Sequence, residues 1–157
     1  MKLRRHLALL AGALALAVAG GCAGEESATP SLAEYQKSVV TVRDRVDFAL
    51  ARITKAKSKD DFLNRMDEAA VVIDDAGSEL DHTGAPQGFE DETDKLAGAL
   101  HQLSVDLAAT AHDIREPGSG LISPGLQGLS FESWDEANLV LASLIGQGIK
   151  VELIARH

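Results

Sequence analysis

Apolar and polar positions alternate along this chain with the period of an α-helix. From position 32 the apolar residues are Leu32, Tyr35, Val39, Val42, Val46, Ala49, Ile53 and Ala56, spaced alternately three and four apart. That spacing lays one apolar stripe along a helix of 3.6 residues per turn, with Lys37, Arg43, Asp44, Asp47 and Lys55 on the opposite face. Ser31 and Glu34 have the spacing of a capping box and set the start. Lys57-Ser58-Lys59 interrupts the stripe, and Ser58 with Asp61 opens a second helix at once. Its stripe is Phe62, Met66, Ala69, Ile73, Ala76 and Leu80, and Gly84-Ala85-Pro86 ends it. A third helix begins near Gln87-Gly88-Phe89. Phe89, Leu96, Leu100, Leu103, Leu107 and Ile114 make its stripe, Thr93 and Thr110 fill two places, and Pro117-Gly118 stops it.

The fourth helix is expected to start at Ser130 or Ser133, and Ser133 with Glu136 makes the better box. Trp134, Ala137, Leu141, Leu144, Gly148 and Val151 form its stripe. Val140, Ile145 and Ile149 widen that stripe, which predicts the most buried helix of the set. Short first and second connections make successive helices antiparallel neighbours. The pattern therefore predicts an all-α fold, an antiparallel up-down four-helix bundle over 31–157. Residues 117–129 fit no helix, with four glycines and two prolines, yet they carry Leu121, Ile122, Leu126 and Leu129. Either these side chains cap the bundle end, or they form an apolar patch for a protein partner.

Ahead of the bundle the pattern changes. Lys2, Arg4 and Arg5 precede 13 uncharged, mostly apolar residues, 7–19, which end in small residues. This is the layout of a secretory signal, and the run is shorter than the roughly 20 residues of a membrane-spanning helix. Cys22 follows directly and is the only cysteine in the chain, so no disulfide partner exists for it. From these residues alone, Cys22 is either a site of lipid attachment or a spare thiol in a secreted protein. Ala19-Gly20-Gly21-Cys22 resembles the lipobox of bacterial lipoproteins, in which small residues precede an invariant cysteine; Ala19 stands where Leu or Val is commoner. The resemblance implies cleavage between Gly21 and Cys22. It also implies a diacylglyceryl thioether and an N-acyl chain on Cys22, the combination that anchors stably where a single acyl chain does not. The protein would then sit on the extracytoplasmic face of the cell membrane. Residues 1–21 are accordingly read as signal peptide, and 22–30 as lipidated cysteine and polar linker. The seven residues 23–29 span at most about 25 Å when extended. Signal, lipobox, linker and capped helices together resemble the small helical lipoproteins of high-GC Gram-positive bacteria. That likeness implies no activity.

Charge narrows the function further. The chain holds 15 basic and 24 acidic side chains. Removing the signal takes three basic residues and no acid, which leaves 12 against 24 and a net charge of −12. Such a domain is repelled by nucleic-acid phosphates, so nucleic acid is excluded as a partner.

Candidate chemistry is sparse. Glu79 and His82 form one Glu-x-x-His pair, whereas a di-iron bundle takes such a pair from each of two helices. His101 and His112 share a face but stand about 16 Å apart along the axis, too far for one metal. Glu90-Asp91-Glu92-Thr93-Asp94 lacks the glycine and final glutamate of an EF-hand loop and suits the positive end of a helix dipole instead. No nucleophile elbow, phosphate-binding loop or dinucleotide motif occurs. The expectation is a non-enzymatic interaction or accessory module at the cell envelope. It has a membrane anchor through Cys22, a protein partner, no metal, and no cofactor beyond covalent lipid. The alternative is a bundle that binds a small ligand or a metal between its helices.

Overall fold

The computed structural model describes residues 29–116 and 131–157. They form four helices: α1 (Leu32–Ile53), α2 (Lys59–Thr83), α3 (Glu90–Arg115) and α4 (Glu132–Gly146). No strand occurs among the described residues. α1 packs on α2, α2 on α3 and α3 on α4. The all-α, up-down four-helix bundle expected from the pattern is the observed fold.

Polar contacts between helices fix the directions. Arg52 pairs with Glu68 while Ser38 meets Thr83, so α2 descends beside α1. His101 meets Asp74 while Arg115 meets Asp67, so α3 ascends beside α2. Ser133 donates to Asp106 at 2.5 Å while Ser143 donates to Glu92 at 3.3 Å, so α4 runs antiparallel to α3.

The stripes predict the core well. All six apolar residues of the α2 stripe are buried, as are Tyr35, Val39, Val42, Val46, Ala49 and Ile53 on α1. Leu32, the first residue of α1, is exposed. At the α1 start the capping box closes: the Glu34 N–H donates to Ser31 Oγ and the Ser31 N–H to Glu34 Oε2, at 3.3 and 2.9 Å. Tyr35 ties this end together. Thr93 Oγ1 donates to the Phe89 carbonyl at 2.8 Å and so accepts from the Tyr35 hydroxyl at 2.7 Å. Burial pushes the Tyr35 phenol up.

The fourth helix differs from expectation at both ends. It starts at Glu132, after an N-cap Phe131 that makes no side-chain cap bond. Ser133 does not cap it; this side chain is buried and bonds Asp106 across to α3. The helix then ends at Gly146, not near Val151. Gly148 adopts φ +98°, a left-handed conformation that costs glycine little, and the chain reverses there. Nor is α4 the most buried helix: five of its 15 residues are buried, against ten of 26 in α3, and Ile145 is exposed. Ile149 is buried as expected, but from outside the helix.

Beyond the turn, residues 149–157 run extended, with Ile149 and Ile154 buried. Contacts to Gln36, Arg43 and Asp47 follow one another up α1 as the segment proceeds, and contacts to Asn138 and Asp135 descend α4. The segment is thus a strap lying between α1 and α4, parallel to the first and antiparallel to the second. It fills the seam that a direct α1–α4 contact would close in a simpler bundle.

Candidate functional site

The Glu-x-x-His pair and His112 are placed apart and engaged separately. Glu79 pairs with Arg45 of α1. His82 turns to the carbonyl of Ser78, four residues back on its own helix, at 2.6 Å. The Glu-x-x-His pair therefore converges on nothing. His112 is exposed and lies 3.9 Å from Glu116. Glu90 accepts backbone N–H groups at the start of α3, including that of Gly88 at 2.6 Å, and these hold its carboxyl below the usual range. Glu92 instead accepts from Gln147 and Ser143. Cys22, the cleavage position at Gly21, and Leu121, Ile122, Leu126 and Leu129 lie outside the described residues. No helix among the described residues is long and apolar enough to cross a membrane.

His101 joins two helices through both of its ring nitrogens. Nδ1 lies 2.8 Å from Asp74 and Nε2 lies 3.2 Å from Asp81, so two carboxylates of α2 grip one ring of α3. The ring sits over Gly77; a Cβ built there would stand 3.1 Å from it and 3.2 Å from the Ala97 carbonyl. The hydrogen bond to Asp74 raises the His101 pKa above its ordinary value; burial opposes it, and the lesser bond to Asp81 adds to the rise. Chemically this is a half-exposed charge clamp between two helices.

The seam between α1 and α4 carries the densest set of directed polar groups. Arg43 donates from Nε and Nη2 to the carbonyl of Leu153, at 3.2 and 2.8 Å. Asn138 holds Ile154 twice: Nδ2 donates to its carbonyl at 3.1 Å, and Oδ1 accepts its N–H at 2.8 Å. The Trp134 indole N–H reaches the same carbonyl at 3.5 Å. Asp47 accepts the Ala155 N–H at 2.8 Å, and Gln36 accepts the Lys150 N–H at 3.1 Å. All of these address the strap's main chain. Its side chains are read at fewer places. Ile154 is buried, and Arg156 pairs with Asp135 at 2.5 Å while lying 6.0 Å over the Trp134 ring. His157 reaches Asp47 at 3.1 Å.

Sequence reasoning placed Arg43 and Asp47 on the solvated face of α1 and ran α4 through the strap. Two glycines within three residues, Gly146 and Gly148, were the available sign that the helix stops there. Nothing in the stripe shows that Arg43 and Asp47 serve a main chain more than 100 residues away.

No protein-family model matches this chain, and neither a curated protein nor a solved structure matches it.

Proposed function

We propose that this protein is a lipid-anchored bundle on the extracytoplasmic face of the cell membrane, acting as a non-catalytic interaction or accessory module. The observation that carries this reading is the lone Cys22 directly after a basic, then apolar, then small-residue leader. The bundle is consistent with such a role. Ser31 lies at the end where α1 starts and α3 begins, so the linker enters there, and Phe131 and the α1–α2 turn lie at the other end. Among the described residues every buried side-chain nitrogen and oxygen has a partner, as suits a scaffold with a stable surface. The net charge of −12 after processing keeps the domain off anionic lipid while the acyl chains hold it close.

Crosslinking in intact cells tests the role. The expected result is a defined envelope protein joined to the wild-type chain and lost when Cys22→Ser releases the domain from the membrane. A wild-type chain that joins no protein, yet binds a small molecule stoichiometrically, would overturn the module in favour of a ligand-binding bundle.

A further inference from the structure

We propose that the α1/α4 seam is a peptide-binding groove that the chain's own C-terminal strap occupies in cis. Its other occupant is an extended segment of a partner protein carrying an aliphatic residue and, two positions on, an arginine or lysine. The inference rests on the reading of the protein as an interaction module and names the surface that such a module would use.

The polar geometry is the first support. Gln36, Arg43, Asp47, Trp134 and Asn138 come from two helices and all hydrogen-bond to main-chain atoms of residues 150, 153, 154 and 155. The paired bonds of Asn138 to the N–H and carbonyl of one residue fix an extended backbone whatever its side chain. Backbone-directed bonds give affinity to extended chains in general, and a few pockets add selectivity. Two side chains are read here: Ile154 is buried against the core, and exposed Arg156 pairs with Asp135 and lies 6.0 Å over the Trp134 ring. Charge complements charge along the seam: Arg43 pairs with Glu152, Asp135 with Arg156, and Asp47 with His157.

The second support is that the strap's main chain is held by side chains of α1 and α4 alone. Residues 150–157 make no main chain–main chain hydrogen bond among the described residues; the last such bonds are those of the turn at 147–149. Lys150, Glu152, Leu153, Ala155 and Arg156 face solvent. A partner segment therefore competes with one short strap tethered at an effective concentration on the order of millimolar.

Trp134 is the only tryptophan and touches the strap, so its emission reports the groove. The test uses the full chain in detergent with Ile154→Ser, which loosens the strap and shifts the emission to the red. A free peptide of sequence 150–157 is expected to reverse the shift. A peptide that keeps only the isoleucine and arginine in a glycine-serine background should do so within about tenfold of the same concentration, because the groove reads main chain. Replacing that isoleucine by serine should raise the concentration needed by at least about tenfold. The wild-type chain, with its strap in place, should need roughly a hundredfold more peptide than Ile154→Ser.

If Ile154→Ser loses its helical circular dichroism, Ala155→Pro takes its place, since it removes only the N–H that Asp47 accepts and tolerates extended backbone. Failure of both peptides to reverse the shift in a folded loosened chain would overturn the groove. Response to the 150–157 sequence alone, with strap-exchanged dimers in light scattering, would overturn the partner and assign the groove to a second copy. Envelope proteins still crosslinked in cells while no peptide binds would sink the groove and leave the interaction module standing.

Discussion

Gly77 and His101 show how single residues set the spacing of two helices. The ring of His101 occupies the room that a side chain at 77 would take, and the Ala97 carbonyl stands just behind it. Gly77→Val must displace both, one of them backbone. It is expected to cost about 1–3 kcal/mol despite valine's better helix propensity, as thermal unfolding will show. The same ring makes a pH effect. Its pKa is raised in the fold by Asp74 first and Asp81 second, so the clamp's contribution is complete below the unfolded value of 6.5 while both aspartates are ionised. It is lost as pH rises through the folded value. The ring is over a third exposed, which limits the effect to less than about 1 kcal/mol. The wild type should therefore unfold at a slightly higher temperature at pH 6 than at pH 8. His101→Gln should remove the part of that difference due to this ring, and an unchanged difference would show that the clamp does not titrate.

At the scale of elements, the apolar stripes told most of the fold. Leu100 and Leu141 were legible as core from spacing alone, and both are buried. Each Leu→Ala change is expected to lower stability by about 2–5 kcal/mol, whereas Lys37→Ala on the exposed face should change it by less than about 0.5 kcal/mol. Denaturant unfolding of the three variants side by side will check the contrast. The strap was not legible, for a physical reason. Ile149 and Val151 continue the helical spacing of α4 almost in phase, so periodicity carries past the point where Gly146 and Gly148 stop the helix. Ser133 misled in a related way: a serine three residues before a glutamate signals a cap, but Asp106 on a neighbouring helix offered it a partner that local spacing cannot reveal. The strap's anchoring predicts that Asn138→Ala, which removes both bonds to Ile154, costs about 1–3 kcal/mol. Melting of this variant by circular dichroism will decide it, and wild-type stability would mean that the strap contributes nothing to the fold.

For the whole molecule, the bundle and its polarity follow from burial and helix direction, while the leader carries the functional reading. Folded-domain physics explains why 31–157 needs no disulfide: three of its four helices exceed twenty residues and share one continuous core. That physics does not bear on Cys22, whose proposed lipidation rests on a lone thiol behind a leader with the layout of an export signal. The groove between α1 and α4 was hidden from the sequence because it is made by side chains from positions 36 to 138 meeting a main chain, which has no pattern to read. The account stands most directly on the anchor. Cells fed a labelled fatty acid should incorporate the label into the wild-type chain and into none of the Cys22→Ser chain. Equal labelling of the two, or an unlabelled wild type, would contradict it.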